Sequence, residues 1–122
     1  TLTALLGWVF RPFAFVMGVP PADVAQVAEL LATKSVFNEF LAYQQLQPLI
    51  QEGALSQRGV TIATYALCGF ANPGSLGIMI GAMAGMAPER RDEVAQLSVR
   101  AFVGGTLAAF STACVAGILA HA

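Results

Sequence analysis

The feature that most constrains this chain is a long stretch, Gly59 to Pro88, in which no residue carries a charge. It is longer than the about 20 apolar residues that cross a hydrocarbon core, yet Asn72-Pro73-Gly74-Ser75 interrupts its centre. Because proline lacks a backbone N–H and glycine adds backbone freedom, we expect a helix arriving from Ile62 to break near Asn72 and restart after Gly74. Within a membrane, the backbone polar groups of such a break are tolerated only inside protein or beside a wet cavity. An interrupted apolar segment of this kind therefore indicates a polar binding site.

The composition favours a membrane protein and argues against several functional classes. Hydrophobic residues make up 57% of the 122 residues and charged residues 11%, against roughly 25% charged residues in soluble domains. The net charge is -1 and the six cations are scattered, so no surface for nucleic acid is expected. Two cysteines without a C-x-x-C pattern and a single histidine predict no metal site. Without a Ser/His/Asp or Cys/His arrangement, no enzyme is expected.

The first unit, residues 1–19, is predicted to be an interfacial helix in contact with lipid. Leu2 to Val19 is apolar and aromatic, but Arg11-Pro12 interrupts it. A short helix with one cation and a tryptophan is typical of the membrane interface rather than of a span.

The second unit, residues 22–51, is predicted to be a re-entrant hairpin. Two helical arms, about 22–33 and 39–50, flank the polar tip Lys34–Phe40. At about 1.5 Å per residue each arm reaches roughly 16 to 21 Å, which is short of the ~30 Å hydrocarbon core. We therefore expect the tip to stop near mid-membrane, covered by protein.

The remaining residues predict a broken helix, 58–86, with halves 58–71 and 75–86, followed by a transmembrane helix, 91–120. The charge-free run 101–120 is long enough for a full span. The predicted fold is thus an all-α membrane protein in a single unit, 1–122. It comprises an interfacial helix, a re-entrant helical hairpin, a broken transmembrane helix and one full transmembrane helix.

Glu39 is the most informative single residue, because an ionisable group at membrane depth is costly and indicates function. The alternative is a shallow hairpin that leaves Glu39 in interfacial water. Lys34 could pair with Glu39 or extend its ammonium to water, and the sequence leaves both open.

Asn72 and Ser75 are three residues apart and could present an amide and a hydroxyl on one helix face, or merely cap the break. Phe70 could flank a ligand ring or only pack. A carboxylate, an amide and a hydroxyl in an apolar setting suit a neutral polyhydroxylated ligand such as a ribose. Neither a glycine-rich phosphate loop nor a cationic clamp accompanies them.

Two motifs in order, NEFLAYQQL at 38–46 and TYALCGFANPGSLGI at 64–78, resemble the C-terminal part of concentrative nucleoside transporters. Thr33-Lys34 ahead of them fits the same resemblance, which extends over essentially the whole chain. It implies the four units predicted above. It also implies that Glu39, Asn72 and Ser75 hold the nucleoside ribose and that Phe70 lies beside the base. Pro73 departs from the bulky or apolar residue expected there, which leaves the geometry of the break open.

The resemblance further implies nucleoside symport coupled to sodium or protons across the cytoplasmic (inner) membrane, by a multi-pass homotrimer. The family's first hairpin, which reads the base and helps to form the sodium site, has no counterpart in these residues. No cofactor is implied, and the coupling ion would be bound mainly outside this segment. The alternative is a small membrane scaffold that assembles through Gly77, Gly81 and Gly85 and binds no solute. Glu39 discriminates the two, since scaffolding gives no reason to bury a carboxylate.

Overall fold

The structure, a computed structural model, describes residues 2–120, all in helices and the turns that join them. Thr1, the first residue of the predicted interfacial unit, and His121 lie outside this range. A 3-10 turn, Pro88–Arg90, precedes the last helix. The all-α prediction is confirmed for the described residues. The helices are α1 Leu2–Val16, α2 Val24–Val36, α3 Glu39–Gln51, α4 Gln57–Leu67, α5 Pro73–Met86 and α6 Arg91–Leu119.

Helix α1 runs through Pro12, so residues 2–16 of the predicted unit 1–19 form one continuous helix. A proline inside a helix costs about 3 kcal/mol, but α1 packs extensively against α2. The two helices approach closely at Gly7, where an added Cβ would lie 3.2 Å from Cγ of Glu29. Packing on α2 thus overrides the local preference. The helix ends at Val16, before the predicted boundary at 19.

Helix α2 is the centre of the fold, because α1, α3 and α4 all pack against it. It extends to Val36, beyond the predicted end at 33, while α3 begins at Glu39, where the second arm is expected. Asn38 caps α3, with its Oδ1 accepting a hydrogen bond from the backbone N of Leu41 at 2.9 Å. The tip of the hairpin therefore shrinks to residues 37–38, and Lys34 lies inside a helix.

A buried polar cluster fixes the base of the hairpin. The carboxylate of Asp23, which is 5% exposed, accepts hydrogen bonds from the backbone N and the hydroxyl of Ser56. The Ser56 Oγ in turn accepts from the backbone N of Gly59 at 3.0 Å, which caps α4. Arg58 Nε donates to the carbonyl of Gly18 at 2.9 Å, and Gly18 has φ +89°. These bonds hold the α1–α2 turn against the α3–α4 loop.

Helix α6, with the turn before it, is long and apolar enough to cross a membrane, and among residues 2–120 no other helix is. Both α4 and α5 pack against it. Helix α5 has no buried residue. The second half of the predicted broken helix is therefore apolar and open to whatever surrounds this chain.

Candidate functional site

The break in the long uncharged stretch covers residues 68–72, between the end of α4 at Leu67 and the start of α5 at Pro73. The predicted bounds, an end at Ala71 and a restart at Ser75, are therefore wrong. Pro73 occupies the first turn of α5, where a missing N–H costs nothing because that group has no helical partner. Asn72 caps the helix, and its Oδ1 accepts a hydrogen bond from the backbone N of Ser75 at 2.9 Å. The proline starts α5. The backbone carbonyl groups of residues 68–72 lie outside the two helices.

Asn72 also reaches the hairpin tip. Its Nδ2 donates a hydrogen bond to Oε2 of Glu39 at 3.0 Å. Asn72 is buried, at 2% exposed, while Glu39 is half-buried at the start of α3. Two of the predicted site residues, which lie far apart in the sequence, are thus in direct contact. The cap and the inter-segment contact coexist in Asn72, because an amide has both an acceptor and donors.

Ser75 lies next to this pair on the first turn of α5 and is half-buried. Among residues 2–120 its hydroxyl has no hydrogen-bond partner, and the same holds for Oε1 of Glu39. A carboxylate oxygen and a hydroxyl that can donate or accept are therefore available on the two residues that Asn72 contacts. That combination suits a ligand that itself carries hydroxyl groups.

Phe70 is 78% exposed within the described part of the chain. It therefore makes little packing contact with residues 2–120. It shares with Ser75 the wall of a cavity of about 210 Å³ between the break and α6. The opposite wall includes Ser98 and Phe102. Sequence reasoning missed these α6 residues, because the face that α6 turns toward the break is set by packing. Ser98 precedes the charge-free run 101–120, and its burial is known only from the structure.

Two side-chain contacts that the sequence did not reveal support the hairpin. The hydroxyl of Tyr43 donates a hydrogen bond to the backbone carbonyl of Thr64 at 2.8 Å, which joins α3 to α4. Inside the hairpin, Thr33 Oγ1 donates to Oε1 of Gln45 at 3.0 Å. The signal for Tyr43 was its position one helical turn after Glu39, on the same face of α3.

Lys34 fits neither of the alternatives drawn from the sequence. Its side chain is 1% exposed, so the ammonium does not extend to water. Among residues 2–120, Nζ has no hydrogen-bond partner either. Lys34 and the half-buried Glu39 lie on either side of the two-residue hairpin tip.

Comparison with known proteins identifies the family. Residues 1–117 match the family described as "Na+ dependent nucleoside transporter C-terminus". Solute carrier family 28 member 3 of Eptatretus stoutii is 50% identical to this chain over 94% of its length, which is 19% of that protein. The putative nucleoside permease NupX of Escherichia coli is 42% identical over 96% of this chain and 28% of its own. These relatives are named as transporters, not as enzymes.

Solved structures give the same answer for the fold. CNTnw in an inward-facing substrate-bound state matches with a TM-score of 0.89 and 42% identity, over 96% of this chain and 29% of that one. A CNTnw variant in an outward-facing state matches with a TM-score of 0.91 and 40% identity. The chain therefore spans only 19% to 29% of the length of these proteins. It belongs to the Na+-dependent nucleoside transporter family.

Proposed function

We propose that this chain forms the ribose-binding part of a nucleoside symporter coupled to sodium or protons. The observation that carries the proposal is the hydrogen bond between Asn72 and Glu39, which joins the hairpin tip to the helix break. A structural cap alone would need only the bond from Asn72 Oδ1 to the Ser75 backbone. The additional contact with a carboxylate at a hairpin tip is what a shared ligand site requires.

The chemistry of the three side chains suits the ribose. Glu39 accepts hydrogen bonds from ribose hydroxyls, Ser75 can donate to or accept from the same diol, and Asn72 holds the carboxylate in place. A hydrogen bond to a charged group contributes about 1.5 to 3 kcal/mol, more than a neutral one. Phe70, exposed beside the cavity, would flank the nucleobase.

The proposed arrangement in the membrane follows from helix lengths. Helices α2 and α3 have 13 residues each, or about 20 Å, which is short of a ~30 Å core, so the hairpin is re-entrant. Helix α1 lies at the interface with lipid, the break with α4 and α5 forms a discontinuous helix, and α6 spans. The complete protein would be a multi-pass homotrimer of the cytoplasmic (inner) membrane. Segments outside this chain would supply most of the ligands of the coupling ion.

Exchange of Glu39 for Gln tests the proposal in the full-length transporter that contains this chain. The change keeps the shape of the side chain and one acceptor but removes the charge. We expect nucleoside affinity to fall by roughly ten- to a hundred-fold, the equivalent of one charged hydrogen bond. The measurement is uptake of labelled uridine by membrane vesicles at equal expression.

Glu52→Gln is the matched control, since Glu52 is an exposed residue at the far end of α3. Its uptake should equal that of the wild type. If Glu39→Gln also matches the wild type in apparent affinity and maximal rate, the hairpin carboxylate is not a substrate ligand. The alternative of a membrane scaffold, which the comparisons do not favour, predicts no saturable uridine uptake in any of the three proteins.

A further inference from the structure

Lys34 is the buried charged group that the proposed site leaves without a role. It lies in the last turn of α2 and is 1% exposed, and its Nζ lacks a hydrogen-bond partner among residues 2–120. An isolated buried ammonium is strongly unfavourable, so a fold that keeps one has a use for its charge. The helix end contributes, because the negative end of the α2 dipole favours a cation in the last turn.

The position of Lys34 relative to Glu39 indicates that use. Lys34 ends α2 and Glu39 begins α3, with only the short tip between the two helices. The two residues thus lie on either side of a two-residue tip, and no hydrogen bond joins them. The other titratable groups near the pair are Tyr43, whose hydroxyl is bonded to α4, and Cys68 in the break. Helix α5 contributes none.

We propose that Lys34 is a positioning residue for Glu39, whose buried ammonium balances the charge of the Glu39 carboxylate and so supports it as the acceptor for ribose hydroxyls. This inference rests on the proposed function. Asn72 supplies one neutral donor to Oε2 of Glu39, which fixes the orientation of the carboxylate but does not balance its charge. The Lys34 ammonium balances the Glu39 charge from a buried position inside the hairpin.

A role limited to stability makes a different prediction. Removing one partner of a buried pair of charges is destabilising, because the other charge is left uncompensated. A lower thermal midpoint of Lys34→Met is therefore expected under either role and does not distinguish them. The distinguishing effect is a selective loss in the recognition of the ribose.

The experiment uses the full-length transporter that contains this chain, purified in detergent, and compares uridine with 2′,3′-dideoxyuridine by calorimetry. The second compound lacks both ribose hydroxyls. The wild type should prefer uridine by about ten- to a hundred-fold, as expected for hydrogen bonds to a charged group. In Lys34→Met the preference should fall to about three-fold or less, with the affinity for the dideoxy compound nearly unchanged, since only the charge-dependent bonds are lost. Lys34→Arg should retain the preference, because it retains the charge.

Two further variants complete the test. Lys34→Gln should behave as Lys34→Met and replaces it if the methionine protein does not fold. In a Glu39→Gln background, Lys34→Met should cause no additional loss of preference, since the carboxylate is already absent. The inference is overturned if Lys34→Met or Lys34→Gln keeps the wild-type preference, or weakens both nucleosides equally. Absence of uridine binding by the wild type would overturn the proposed function itself, which is a distinct result.

Discussion

Asn72 donates a hydrogen bond from Nδ2 to Oε2 of Glu39 at 3.0 Å, and with its Oδ1 it accepts one from the backbone N of Ser75 at 2.9 Å. One side chain thus caps α5 and fixes the hairpin tip against the break. The two bonds use opposite ends of the same amide, so they can be separated by substitution.

Asn72→Ser and Asn72→Asp make that separation. Both residues are good helix caps, so the start of α5 should persist. Serine loses the reach to Glu39, whereas aspartate places a second carboxylate against it, and like charges at this distance repel. We expect uridine affinity to fall by a few-fold in Asn72→Ser and by more than about ten-fold in Asn72→Asp. Equilibrium binding to the purified full-length protein measures both, and equal losses would contradict the contact.

Tyr43→Phe removes the hydroxyl that bonds to the carbonyl of Thr64. The change should cost about 1 kcal/mol and lower the thermal midpoint by a few degrees, because the hairpin loses one tie to α4. Tyr65→Phe is the matched control, since Tyr65 is exposed and makes no side-chain hydrogen bond among residues 2–120. Fluorescence-detected thermal unfolding in detergent provides the comparison. Equal midpoints for the two variants would show that the bond contributes nothing.

Gly59→Ala tests the polar cluster at the base of the hairpin. An added Cβ would collide with the Asp23 carboxylate and lie 3.2 Å from Ser56 Oγ, both of which are held in place by hydrogen bonds. Such overpacking costs about 1 to 3 kcal/mol. Gly104→Ala is the control, because the described residues leave open space there. Thermal midpoints of the two purified proteins should differ by several degrees, and an equal or smaller loss in Gly59→Ala would contradict the packing of this cluster.

Leu107→Arg tests whether α6 spans a membrane. Leu107 lies within the charge-free run 101–120 and is 55% exposed in this chain. An arginine near the centre of a span costs about 2.5 to 3.5 kcal/mol on insertion scales. Leu97→Arg is the control, because it lies near the charged start of α6, from which a long cation can reach water. Carbonate extraction of membranes should release more of the Leu107→Arg protein than of the Leu97→Arg protein. Equal retention of the two variants would argue against the span.

Local chemistry made much of this fold predictable. The starts of the second hairpin arm at 39 and of the last helix at 91 agree with the starts of α3 and α6. The uncharged run 101–120 is part of the helix that is apolar and long enough to span. The predicted bounds of the break around Pro73 were wrong, since a proline shows that one backbone hydrogen bond is missing but not whether the residue ends one helix or begins the next.

For the candidate site, the sequence by itself determined which chemical groups are present: the Glu39 carboxylate, the Asn72 amide and the Ser75 hydroxyl, in an apolar chain. Only the tertiary structure decided that Asn72 contacts Glu39, that Phe70 is exposed beside a cavity, and that Lys34 is buried with no bonded partner. The physical reason is that sequence spacing sets the face of a single helix, whereas contacts between α3 and the break depend on how α2, α4 and α6 pack. The burial of these side chains and the partners that they contact are set by that packing, so no local sequence pattern predicts them.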